Sequence, residues 1–202
     1  MTVRHMPVVR RVLGEEHWAR LAPAVRRHYD LSPSFAEDMI LDGVMDEIRH
    51  APLVKPWLML ARWFKALVPY PGDNVPVKVR NRTDPRTPDS LYWHRTFSFP
   101  DGRVTEFLSR MEPAGRGQIV EILRFGVGIR MRLSVEDGAL VFTGLQHCWK
   151  LGPMMIGIPN WALLGDAVIV ESPVSDDEVR LDFEIVHPWF GRTFSYCGRF
   201  RM

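Results

Sequence analysis

The sequence predicts an α+β fold, with N-terminal helices packed on a strongly curved antiparallel β-sheet or β-barrel of eight to nine strands. Three observations carry that expectation. Apolar residues recur at spacings of three and four in the first seventy positions, and from Gly72 onward they alternate with a period of two. The alternating segments are short and are separated by turns rich in Pro, Gly and Asp. An antiparallel meander of so many strands curls into a barrel or a bent sheet. At 202 residues the chain reads as one domain, a helical segment over 1–70 followed by the sheet over 71–202.

The elements follow in order. Over 15–29, Trp18, Leu21, Ala22 and Val25 form one stripe, with Glu15 and Glu16 early and Arg26, Arg27 and His28 late. That charge order complements a helix dipole. Pro23 either kinks this helix or divides it in two. Ser32-Pro33-Ser34 marks a break, and Pro52 and Pro56 bracket the start of a second helix over 57–68, stopped by Pro69 and Pro71. Strands are expected over 75–80, 90–99, 103–112, 118–125, 127–135, 139–149, 167–172, 178–187 and 193–201. Pro100-Asp101-Gly102 and Glu136-Asp137-Gly138 supply turns in which glycine accepts a positive φ. The stretch 151–165 reads as an irregular excursion over one end of the sheet.

Composition excludes several classes of protein. Hydrophobic residues at 46% and charged residues at 25% match an ordinary globular chain and not a disordered or fibrous one. A net charge of +2 gives no large uniform field. Positions 1–12 lack the continuous apolar core, roughly 7–15 residues long, of a secretory signal. No run of about 18 apolar residues would span a membrane. Cys148 and Cys197 are too few for a disulfide framework or a zinc site, and read as free thiols in a reducing cytoplasm.

The histidines never fall at the i, i+4 spacing of a zincin, so no metal is expected. Gly115-Arg116-Gly117 and Gly126-Val127-Gly128 do not lie between a strand and a helix, and no cofactor is expected from them. Tyr92 and His94 have too few basic neighbours in sequence to suggest nucleic acid. The 57–68 helix places Lys55, Arg62 and Lys65 opposite Trp57, Leu60, Trp63, Phe64, Leu67 and Val68. Such a face packs on a core or lies on a membrane surface.

Alternation also selects candidate site residues. In 90–99 the apolar face is Leu91, Trp93, Arg95, Phe97 and Phe99; in 118–125 it is Ile119, Glu121, Leu123 and Phe125. Each face carries one charge in its middle. Unpaired, such a charge would cost several kcal/mol, on the scale of a domain's whole stability. Either Arg95 and Glu121 pair with each other, or they line a partly wet interior with Tyr196 and His187. A one-residue slip of register would instead turn both outward.

Several short motifs occur in a familiar order: Leu21-Ala22-Pro23-Ala24-Val25-Arg26-Arg27, Val75-Pro76-Val77-Lys78-Val79, Trp93-x-Arg95-x-Phe97, Phe107-x-Ser109, Glu121, Trp149-x-Leu151-Gly152 and Tyr196-x-Gly198. In this the chain resembles the bacterial family of unknown function numbered 4166, over roughly residues 15–201. It departs where Gly157-Ile158-Pro159-Asn160-Trp161 replaces a Leu-Pro pattern. The resemblance implies domain limits and no reaction, and it includes Arg95 and Glu121 among the matching positions.

The functional expectation is a binder of an apolar or amphiphilic anionic small molecule. Trp93, Phe97, Phe107, Phe125 and Phe183 would line the site, and Arg95, held by Glu121, would anchor the head group. The first alternative is a cyclase- or isomerase-type enzyme with Glu121 as general base and Tyr196 or His187 as oxyanion donor. The second is an interaction module with a solidly packed interior.

Overall fold

A computed structural model describes residues 6–61 and 67–201. The strands are β1 (Asp38–His50), β2 (Gly72–Thr83), β3 (Leu91–Ser98), β4 (Val104–Gly115), β5 (Gln118–Leu123), β6 (Val127–Glu136), β7 (Ala139–Leu151), β8 (Met154–Ile158), β9 (Asp166–Pro173), β10 (Glu178–His187) and β11 (Gly191–Arg201). Helices α1 (Val8–Leu13), α2 (Glu15–Arg20) and α3 (Pro23–Tyr29) precede them, and α4 (Lys55–Ala61) follows β1.

Strands β1 to β7 pair in succession, β7 passes to β9, β10 and β11, and β11 returns to β1. Ten antiparallel strands thus close into a barrel, while β8 pairs with the far part of β7 and stays outside the circuit. The fold is mostly β, where the sequence predicted α+β with eight to nine strands. Closure removes the unpaired edges that an open sheet would present.

Both extra strands have a physical reason for their weak sequence signal. Strand β1 lies within 1–70, the segment read as helical, and its inward residues Leu41, Met45 and Ile48 are four and three apart instead of alternating throughout. A bulge creates that spacing: Met45 faces Gly198 and Glu47 faces Cys197, so Asp46 is an extra residue that shifts the inward phase. Strand β8 falls in the excursion, and its Met155 packs on Val120, Ile122 and Cys148 on the outer face of the barrel.

Pro23 divides the first helix, opening α3 at its first turn, where a missing N–H loses no helical bond. Of the 57–68 helix, Arg62, Trp63, Phe64 and Lys65 lie outside the described residues, as do the side chains of Trp57 and Leu60, and Leu67 and Val68 are not helical.

The two ends of the barrel differ. Helices α1–α3 close the end where β6 turns into β7, burying Trp18, Leu21, Val25 and Tyr29. The Ala22 N–H donates to the Gly138 carbonyl there at 2.9 Å. From α3 the Tyr29 hydroxyl donates to Glu171 Oε2 at 2.6 Å, and His28 Nδ1 pairs with Glu171 Oε1. Burial, reinforced by that carboxylate, holds the Tyr29 phenol well above its ordinary pKa, so it stays a donor. The opposite end gathers the end of β1, the segment between β8 and β9, and the β10–β11 turn.

Candidate functional site

Register places both predicted charges in the interior. Arg95 on β3 faces Phe107 on β4, and Glu121 on β5 faces Met111 on the same strand β4. Both are buried. The Arg95 guanidinium donates to Glu121 Oε1 at 3.2 and 3.3 Å, and to Ser109 Oγ at 3.2 Å. Ser109 donates in turn to Glu121 Oε1 at 2.6 Å. The guanidinium carbon sits 4.4 Å from the Trp93 ring centre and 4.5 Å from that of Phe107. This is cation–π geometry within an interior too apolar to leave a charge unmatched.

The pair does not fill the barrel. Between it and the open end lies a cavity of about 290 Å³. Arg95, Glu121, Phe107 and Tyr196 line it with Ile129, Met131, His147, Ala167, Ile169, Phe183 and Ile185, and Leu67, Leu163 and Leu164 stand at its mouth. The two resolutions open from the sequence therefore coexist, since Arg95 and Glu121 pair and also face a cavity. At ~30 Å³ for a water's share of liquid volume, the space suits a molecule of roughly ten non-hydrogen atoms.

The polar atoms of this wall are unequally occupied. Among the described residues, neither Glu121 Oε2 nor the Tyr196 hydroxyl has a hydrogen-bond partner. Burial pushes the Tyr196 phenol up to about 12, eased by Arg95 and reinforced by Glu121, so it is protonated at neutral pH. His147 Nε2 lies 3.1 Å from the Gly165 carbonyl, and burial lowers its pKa, favouring the neutral ring as donor. Glu121 holds the Arg95 guanidinium, so an anionic head group at Arg95 would share that charge with the carboxylate.

Other predicted residues lie elsewhere. Trp93 packs towards the closed end, against His28 and Tyr29, and Phe97 is buried outside the cavity wall. His187 is buried but absent from the wall, with both nitrogens on backbone: Nε2 bonds the Trp161 carbonyl at 2.8 Å and Nδ1 accepts the Trp189 N–H at 3.2 Å. Phe125 points outward because β5 ends at Leu123 and Phe125 occupies a tight turn at φ 61°. At the next position a Cβ would lie 2.1 Å from the Lys150 carbonyl, so the turn requires Gly126.

Sequence reasoning quoted Ser109 only as part of a family motif, without a place in the site, and missed His147. Ser109 shares the inward face with Phe107 and Met111, a polar break in an apolar alternation that was there to be read. His147 was hidden by a bulge, because Arg130 faces Gln146 while Met131 faces Gly144, leaving Leu145 as an extra residue.

A larger depression of about 1070 Å³ lies on the outer face around Tyr92, His94 and Leu108. Cross-strand neighbours bring Arg80, Arg82 and Arg110 there, which the linear sequence did not reveal. Asp38 holds Arg80, and Glu112 holds both Arg110 and Lys150, so much of that charge is already matched. The interior cavity is the better candidate. Among the described residues no cluster of three or more His, Cys, Asp or Glu could hold a metal ion, and no helix is long and apolar enough to cross a membrane.

Comparison with known proteins adds a family and little chemistry. A family model described as a domain of unknown function, DUF4166, matches residues 21–200. No curated protein matches the chain. Among solved structures, a de novo designed fluorescence-activating β-barrel is 14% identical and covers 90% of this chain and 98% of its own. Its TM-score of 0.29 is too low for the likeness to carry an argument.

Proposed function

Because the chain belongs to the DUF4166 family, whose description assigns no chemistry, the functional reading rests on the cavity, and we propose that the protein binds one small apolar or amphiphilic molecule inside its barrel. The observation that carries this is an apolar cavity whose inner wall ends in two polar atoms without partners, Glu121 Oε2 and the Tyr196 hydroxyl. Small-molecule sites combine apolar walls with a few placed polar groups in this way. The ligand's polar end is an uncharged hydrogen-bond donor such as an alcohol, accepted by Glu121 and bonded by Tyr196. Its chain lies along Ile129, Ile169 and Phe183 towards the mouth.

The cyclase or isomerase reading gains less support, because it needs Glu121 free of partners, and Arg95 and Ser109 both hold it. A packed interaction module needs a filled interior. Calorimetric titration with 1-decanol and with decanoate tests the proposal. Saturable 1:1 binding of decanol is expected, at least tenfold tighter than decanoate, and severalfold weaker in Tyr196→Phe. No saturable binding of either probe would contradict the cavity reading, and a preference for decanoate would restore the anionic head group.

A further inference from the structure

The exposed apolar side chains of this protein are distributed unevenly. Phe35, Ile40 and Val174 lie towards the closed end, whereas Trp161, Leu163, Trp189 and Phe190 ring the open one. Trp189 is 69% exposed, Trp161 and Phe190 54% each, and Leu163 38%. Leu163 is also part of the cavity wall, so the exposed ring and the cavity mouth are one continuous surface. The β7–β8 hairpin adds Met154 and Ile156 at the same end.

This ring is held in place. Trp161 and Trp189 lie 5.7 Å apart, centre to centre. Buried His187 ties both segments, bonding the Trp161 carbonyl and the Trp189 N–H and stacking on Phe190 at 4.6 Å. Thr193 bonds the Leu164 carbonyl at 2.7 Å and fixes the same loop to β11. A folded chain gains nothing from holding large aromatic rings in water, and such patches mark surfaces that meet another apolar phase.

We infer that the open end docks on a lipid bilayer, with Trp161, Trp189 and Phe190 inserted at the headgroup level and the cavity mouth facing the acyl region. Three features favour a bilayer over a protein partner. The Trp rings on projecting turns match the amphipathic chemistry of the membrane interface, and Phe190 adds an apolar ring beside them. The patch surrounds the entrance of a cavity for an apolar molecule, and a bilayer is a phase from which such a molecule enters without crossing water. Among the described residues at this end Arg49 is matched by Glu47 and Asp73, Arg103 by Asp101 and Arg192 by Glu184, whereas Lys55 and Arg124 have no ion pair, and two free cations are too few to hold a bilayer by charge, so attachment depends mainly on insertion. Docking itself does not need a filled cavity; only the transfer of a ligand through the mouth rests on the function proposed above.

The test is co-sedimentation of the full chain with sucrose-loaded phosphatidylcholine vesicles at low and high salt. It is run beside decanol titration without vesicles, on the wild type and on Trp189→Ser/Phe190→Ser. The expected result is salt-insensitive vesicle binding, reduced at least about tenfold in the double variant by the loss of two inserted rings. Decanol binding would be the same in both proteins. The inference is overturned if the wild type stays in the supernatant, if it binds only vesicles containing phosphatidylserine at low salt, or if the double variant partitions unchanged. A concentration-dependent dimer that the double variant abolishes would likewise overturn it, assigning the patch to a second copy of the chain. Vesicle binding without decanol binding supports docking and contradicts the cavity reading alone.

Discussion

The two ends of the barrel solve opposite problems with the same materials. At the closed end, α1–α3 bring apolar side chains inward, and Glu171 holds both His28 and Tyr29, with the amide of Asn81 left as an exception. At the open end, apolar side chains face outward, and two polar atoms of the cavity wall, Glu121 Oε2 and the Tyr196 hydroxyl, have no hydrogen-bond partner among the described residues. The difference teaches where to look for function. The closed end is arranged for stability, and the open end sacrifices some stability for access.

Substitutions should therefore separate stability from binding according to the end they touch. The largest stability effect is expected from Glu171→Ala, which strands His28 and Tyr29 in the core and costs about 2–5 kcal/mol. Urea unfolding measures it, and a loss below about 1 kcal/mol would mean that the plug is held by apolar packing alone. Alkaline pH acts next. A phenol whose folded pKa is raised stabilises the fold below the unfolded value near 10 and loses that contribution as pH rises through the folded value. For Tyr196, with a folded value of about 12, this amounts to roughly 3 kcal/mol at ~1.4 kcal/mol per unit. Tyr29 shifts in the same direction. Unfolding midpoints should fall steeply between pH 10 and 12, and Tyr196→Phe should flatten part of that fall.

A third substitution changes the sign. Asn81 on β2 is fully buried near the closed end, opposite Trp93, and among the described residues neither of its amide atoms has a partner. Replacing it with an apolar residue of similar size, Asn81→Leu, should stabilise the protein by about 1–3 kcal/mol, because no hydrogen bond is lost. Destabilisation would show that the amide is satisfied by a bound water. The smallest stability effect belongs to the open end. Trp189→Ser should change the unfolding free energy by less than about 0.5 kcal/mol, and a larger loss would blur the contrast between the ends.

Much of this was legible in the sequence where strands alternate without interruption. Strands β3, β6 and β10 showed their inward faces directly, and Arg95 and Glu121 stood out because a charge interrupts an apolar alternation. What was not legible shares one cause. The bulges at Asp46 and Leu145 shift the phase by one residue, so β1 shows no continuous alternation within the segment read as helical, and His147 is concealed. The positive φ of Phe125 likewise ended β5 two residues early and turned its ring outward. Non-local neighbours were the other blind spot, since Arg80, Arg82 and Arg110 meet around Tyr92 and His94 only once β2, β3 and β4 are paired.

The central claim is that the barrel holds one small molecule between the Arg95–Glu121 pair and the open end. Native mass spectrometry of protein purified from its own host tests it most directly, on the wild type and on Ala167→Phe, which fills the cavity from its wall. The account predicts a stoichiometric adduct on the wild type that extracts as a small apolar or alcohol-bearing molecule, and its absence from a folded Ala167→Phe variant. An unliganded wild type that also fails to take up 1-decanol, or an adduct that persists in Ala167→Phe, would contradict it.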